Sequence, residues 1–266
     1  HYDSWCYLPV AGFLSFNEEP DQYLFAYVLR PGNATAAVGA IGLLSRLLPR
    51  LRVAFPRARL RGRRDGGYAA PEIFAFLERE GLEYVVAMAK NQVLKRRAAR
   101  LMGTARRCSR ASGETVHRYG ETRYAAGTWA QRRRVIIKAE VVRHPGRAPK
   151  DNPRFVVTNL KHSPRHLYEA IYCARGDSEN RLKALHHDLA IGRTSCSRFW
   201  ANHLRVTLTA AAYVLLQELH LRADRTSLAR AQVGRLRLVL LKIGVRVTRS
   251  VRRFMLHLPR AHPDLH

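Results

Sequence analysis

The segment "ARLRGRRDGGYAAPEIFAFLEREGLEYVVAMAK", residues 58–90, constrains the fold more than any other part of the chain. It reads as a short strand, a glycine-rich turn after Asp65, a helix with Pro71 near its start and a stop at Gly81, and then the strand "EYVVAMA". Strand, helix and strand in so short a span predict an α/β sheet. Asp65 falls at or just past a strand end and before a helix. In α/β sheets ligand chemistry gathers there, because side chains at the carboxyl ends of strands reach the crevice.

The flanking segments extend this pattern. Cys6 to Phe16 and Gln22 to Leu29, rich in Tyr, Phe, Leu and Val and separated by "NEEPD", predict a hairpin. "RPGN" ends its second strand, and Asn33 or Thr35 is expected to cap a helix from about Ala34 to Leu51. Residues 91–110 predict a basic helix, and β-branched, alternating segments from Glu114 to Leu160 predict an antiparallel β insertion. After Ser195, "RFWANHLRVTLTAAAYVLLQELHL" predicts a long buried helix, "SLARAQVGRLRLVLLKIG" an amphipathic stretch and "VRVTRSVRRFMLHLP" a terminal hairpin. With no internal repeat or low-complexity linker, one domain with an insertion is expected.

Charge restricts the partner. Lys and Arg total 47 against 20 acidic residues, a formal charge of +27 over 266 residues. Such an excess favours a polyanion through counterion release and steering, and nucleic acid is the commonest one inside cells. An arginine-rich coding bias is the competing explanation. Cys6, Cys108, Cys173 and Cys196 are scattered without a C-x-x-C pair, so neither a zinc site nor a disulfide framework is signalled, which fits a reducing cytosol. No apolar run has membrane-spanning length. The G-x-S-x-G and G-K-[ST] signatures are absent. Trp5, Trp129 and Trp200 read as packing residues, with Trp129, which precedes "QRRRV", the one to test for DNA contact.

The stretch "IYCARGDSENRLKALHHDLAIGRTS", residues 171–195, carries a candidate site. At about 100° per residue, Tyr172, Arg175, Glu179, Lys183 and His186 fall within roughly 80° on one polar stripe of a helix. Ile171, Leu182, Leu185 and Leu189 lie beside them and can seat the helix on the sheet, with Asp177 and Asp188 nearly opposite. Glu179 to Lys183 is also the spacing of an ordinary surface ion pair. A functional reading needs a second carboxylate, as in two-metal phosphoryl transfer, and Asp65 at its strand end is the natural candidate.

The run "RGDSENRLKALHHDLAIGRTS", followed by "RFWANHLRVTLTAAAYVLLQ", resembles the catalytic-glutamate region of bacterial insertion-sequence transposases with a DDE-type domain. "HYDSWCYLP", "LRPGNA", "RRDGGYAAPE", "YVVAMAKN" and "LARAQVGRLRLVLLKIGVRVTRSVRRFMLHLP" resemble the same family in the same order, over nearly the whole chain. The resemblance implies an α/β, ribonuclease H-like core, a mixed sheet flanked by helices, with an inserted antiparallel β subdomain and a helical C-terminal part. Residues 1–110 would form the first part of the core, 111–160 the insertion, and 161–266 the glutamate helix and the rest of the core.

What else it implies follows residue by residue. The family's second Asp falls on Asp65 and its Glu on Glu179, as catalytic metal ligands of a two-Mg²⁺ site that could also accept Mn²⁺. Its DNA-contacting Tyr and Arg fall on Tyr172 and Arg175. The Lys position of its signature falls on His186, with Lys183 as a substitute. The family's first Asp lies on a strand upstream of "HYD", so an N-terminally truncated chain with impaired activity is expected, Asp3 and Asp21 being weaker replacements. The implied activity is metal-dependent strand cleavage and transfer at element ends. The implied partners are terminal inverted repeats, target DNA and a second copy of the chain, at the bacterial nucleoid in the cytoplasm. Rival readings are a catalytically dead DNA-binding remnant and a basic RNA-binding protein, which salt-sensitive RNA binding without preference for duplex ends would mark.

Overall fold

The computed structural model describes residues 6–259 except 18, 20, 36 and 230, and the backbone alone at 175–177. In chain order the elements are β1 (Val10–Leu14), β2 (Tyr23–Val28), α1 (Ala40–Ala54), β3 (Arg61–Arg64), α2 (Pro71–Arg79), β4 (Glu83–Met88) and α3 (Gln92–Ser112). They continue with β5 (Val116–Tyr124), β6 (Arg133–Val142), β7 (Lys150–Asp151), β8 (Arg154–Thr158), α4 (Pro164–His166), α5 (Gly176–Lys183), α6 (Phe199–Arg222), α7 (Val233–Leu236), β9 (Arg246–Arg249) and β10 (Phe254–His257). The chain divides into two compact units, residues 33–176 and residues 1–32 with 177–266, boundaries unlike the three-part division expected from sequence.

The unit of residues 33–176 is a mixed sheet with strand order β3-β4-β8-β6-β5 and β7 on β6. β3 and β4 are parallel and joined through α2, while β8, β6 and β5 add antiparallel. Strand periodicity divides its side chains between two faces. Tyr84, Val86, Val135, Ile137, Phe155 and Val157 join the core beneath α1, α2 and α3. Val85, Ile136 and Val156 meet Leu167, Tyr168 and Ile171 on the other face. Helices thus cover both sides. The segment expected as a separate insertion supplies strands to the main sheet, because Val156 and Val157 of β8 pair with Ala87 and Val86 of β4.

The expected α1 begins later than the sequence suggested, at Ala40, with Gly39 as its N-cap in place of Asn33 or Thr35. Gly39 at φ 81° lies in the left-handed region, which a continuous right-handed helix cannot include.

In the other unit, β1 and β2 form the expected hairpin, with a register shift between Gly12 and Phe13. Leu24, Tyr27 and Leu29 of this hairpin pack with Leu185, Ile191, Val206 and Tyr213. Gln217 of α6 donates from Nε2 to the Gln22 carbonyl at 2.8 Å. α6 is only partly buried, where a buried helix was expected: Val206, Tyr213 and Leu216 are inside, whereas Leu208 is 62% and Leu215 67% exposed. No described helix is long and apolar enough to cross a membrane. Among the described residues, the stretch after Ser227 forms α7 and one π turn, Arg237–Leu241, before the hairpin β9–β10.

Candidate active site at the carboxyl end of the sheet

β3 and β4 run parallel, so their carboxyl ends share one end of the sheet. β6, antiparallel to β8 as β4 is, finishes there too. Asp65 directly follows β3, and the Gly67 N–H donates to its Oδ1 at 3.1 Å. This is the local turn that Asp favours, here capping the single 3-10 turn Gly66–Tyr68. A Cβ at Gly66 would lie 3.8 Å from the Ala87 carbonyl oxygen, so the turn passes close over the end of β4.

Arg64 precedes it with its guanidinium 5.6 Å from the Tyr68 ring centroid. Desolvation lowers its pKa, opposed by the nearby Tyr68 and Asp65, and its Nε is buried without a hydrogen-bond partner among the described residues. The sequence reading passed over Arg64, although a guanidinium beside a strand-end carboxylate is itself a signal.

A polar pocket of about 280 Å³ opens at the same end, lined by Lys138, Glu140, Asn152, Arg154, Tyr168 and Tyr172 next to Ala87 and Met88. Lys138 Nζ donates to Glu140 Oε1 at 2.6 Å and Asn152 Nδ2 to Glu140 Oε2 at 2.7 Å. Burial works to raise the Glu140 pKa, but these two donors outweigh it and hold the carboxyl below its ordinary value. Lys138 also lies 5.3 Å from the Tyr168 ring centroid. Burial pushes the Tyr168 hydroxyl up to about 12, so it remains a neutral donor. Tyr172, singled out from sequence, sits in this pocket with its ring 5.3 Å from that of Tyr168. Lys138 and Arg154 were missed because they lie on strands outside any recognisable motif. Two cations and two phenols around Glu140 suit an anionic oxygen such as that of a phosphodiester.

The glutamate segment is less regular than one α-helix. Leu167–Tyr172 is a π turn, Cys173–Arg175 a 3-10 turn, Gly176–Lys183 is α and Ala184–Asp188 is again π. The polar stripe drawn at a constant helical step therefore does not run unbroken from Tyr172 to His186. The cause is packing: Ile171 sits with Val85 and Val156, whereas Leu182, Leu185 and Leu189 sit with the hairpin residues Leu24 and Tyr27. The run ends at Asp188, short of the expected Ser195, with Ala190 at φ 50°. Asp188 accepts from the Gly234 N–H at 3.0 Å and so holds the start of α7.

Asp65 and Tyr172 belong to the unit of residues 33–176, and Glu179, Lys183 and His186 to the other. Glu179, Lys183 and His186 are exposed. Glu179 and Lys183 share regular α-helix, and among the described residues no ion pair joins them. The Arg175 and Asp177 side chains, and Asp3, lie outside the described residues. Asp21 faces Arg181, whose Nη2 is 3.5 Å from Oδ1. Among the described residues no group of three or more His, Cys, Asp or Glu side chains is placed to hold a metal ion.

One tryptophan expectation holds and one is corrected. Trp129 packs as expected, 8% exposed and edge-on to Phe74 and Tyr124, with the Arg133 guanidinium 5.2 Å from its ring, which speaks against the DNA contact it was singled out to test. Trp200, expected to pack, is 75% exposed.

A mixed sheet flanked by helices, with Asp65 following its edge strand β3, is the architecture of a ribonuclease H-like α/β domain. The chain matches, over residues 1–266, the family described as Transposase DDE domain group 1, and it belongs to that family. A comparison with curated proteins gives no match. Membership makes this a transposition protein in general, from a family that acts on DNA and generally depends on divalent metal.

Proposed function

We propose that this chain cleaves DNA strands at the ends of an insertion sequence and joins them to target DNA, with Asp65 and Glu179 as metal-holding carboxylates. The observation that carries this reading is Asp65 at the end of β3, at the same end of the sheet as the pocket of Lys138, Arg154 and Tyr172. Both residues are oxygen donors, the class that hard divalent cations such as Mg²⁺ take, and Mn²⁺ is compatible with the same set. The Gly67 N–H orients the Asp65 carboxylate before any ligand arrives. Bound metal would supply charge neutralisation and an activated water for in-line attack on phosphorus. The protein's own contribution is placement. Tyr172, Lys138 and Arg154 would hold phosphate oxygens of the strand, and Arg175, Lys183 and His186 would hold the DNA backbone near Glu179.

On this reading residues 1–110 and 161–266 make the catalytic core, residues 111–160 enlarge its sheet, and the working assembly is a homodimer at the nucleoid. The assays use the protein translated from its complete reading frame. The test is Mg²⁺-dependent cleavage of duplexes carrying the element's terminal repeats. Cleavage that requires both Asp65 and Glu179 supports the proposal, and cleavage indifferent to both overturns it.

A further inference from the structure

Helix α3, "QVLKRRAARLMGTARRCSRAS", carries seven basic residues and no acidic one. Its inward stripe is Leu94, Ala98, Met102, Ala105 and Ser109, all buried. Two of the cations have partners: Arg97 bonds Thr122 and the Arg123 carbonyl, and Arg106 chelates Asp151. The others divide by angle. At about 100° per residue, Arg96, Arg100, Arg107 and Arg110 fall within roughly 80° of one another and about 170° from the buried stripe.

All four are exposed. None makes an ion pair among the described residues, and Arg107 reaches only the Thr104 hydroxyl, at 3.5 Å. Like charges at i, i+4, as Arg96 and Arg100 are, weaken a helix, and no carboxylate on α3 relieves them. Ala99 and Gly103 lie in the same stripe, and a Cβ at Gly103 would meet nothing within 4 Å. A glycine inside a helix is conformationally costly, but here it leaves the ridge low in the middle, where a backbone could approach closely.

We propose that Arg96, Arg100, Arg107 and Arg110 form a ridge that binds the phosphate backbone of duplex DNA, away from the carboxylates. From first to last the ridge is about 21 Å long, which spans roughly six base-pair rises of duplex. Four guanidiniums without acidic partners match a line of phosphates in charge, and their contacts carry no base readout, so the ridge holds DNA without regard to sequence. It rests on the reading that the chain acts on DNA and adds a docking surface to it.

The test is fluorescence anisotropy of a mixed-sequence duplex of about 30 base pairs, titrated at KCl from roughly 50 to 200 mM. The variant replaces Arg96, Arg100, Arg107 and Arg110 by Gln. Its control, matched in charge, replaces the exposed Arg57, Arg59, Arg249 and Arg252 by Gln. Losing four phosphate contacts makes the plot of log affinity against log salt shallower by about 3.6, and the control leaves it nearly unchanged. If the fourfold variant does not fold, the pairs Arg96/Arg100 and Arg107/Arg110 are replaced separately, each expected to remove about 1.8 from the slope. An unchanged slope, an equal change in the control, or tighter binding of duplex RNA than of DNA overturns the ridge. Wild-type protein without salt-sensitive duplex binding would overturn the DNA reading itself, a result distinct from the first.

Discussion

The Gly67 backbone N–H holds one oxygen of Asp65 at 3.1 Å, in a turn that crosses the end of β4. The carboxylate is thus oriented by its own chain. An amide in its place keeps an oxygen for that hydrogen bond while losing the charge. Asp65→Asn should therefore leave the free energy of unfolding within about 0.5 kcal/mol of wild type and lower Mg²⁺-dependent strand cleavage by roughly 100-fold or more. A cleavage rate close to wild type would remove Asp65 from the site.

Arg133 and Glu78 form a largely buried ion pair, with Nε to Oε1 at 2.7 Å and side chains 5% and 25% exposed. The Arg133 hydrogen bond is the main cause that holds the Glu78 carboxyl below its ordinary 4.5, against desolvation. A carboxyl depressed in the folded state stabilises above its unfolded value, and that stability is lost as pH falls through the folded value. Glu78→Gln should cost about 3 kcal/mol near neutral pH by stranding the guanidinium. The gap in thermal midpoint between wild type and variant should narrow as pH drops below 4.5, and a gap independent of pH would contradict this assignment.

Trp129 packs edge-on to Phe74 at a centroid distance of 5.0 Å. Trp129→Ala should destabilise the protein by about 3–5 kcal/mol. Duplex affinity per folded molecule should stay unchanged, measured where the variant is still folded. A specific loss of affinity without loss of stability would return Trp129 to a DNA-contact role.

Much of this was legible in the chain. Gly81, at φ 63°, and Pro71, at the first turn of α2, gave α2 and its stop. Asp65 was placed by the Gly66-Gly67 turn after a strand, and the family resemblance covered what periodicity could not. Other features were hidden for physical reasons. β8 reads locally as one arm of an insertion, and only the long-range pairing of Val157 with Val86 makes it the centre of the sheet. Lys138 and Arg154 are ordinary strand residues until β6 and β8 lie side by side. The π turns at Leu167–Tyr172 and Ala184–Asp188 answer tertiary packing of Ile171 and Leu185, which a helical wheel cannot contain.

Glu179 tests the central claim most directly. It is exposed on α5, so Glu179→Gln, which removes its charge at constant shape, should not disturb the fold. The measurement is Mg²⁺-dependent cleavage of terminal-repeat duplex by wild-type and Glu179→Gln protein from the complete reading frame, with duplex affinity recorded on the same samples. The account predicts affinity within about threefold of wild type and cleavage reduced by roughly 100-fold or more. Undiminished cleavage at equal affinity would contradict it.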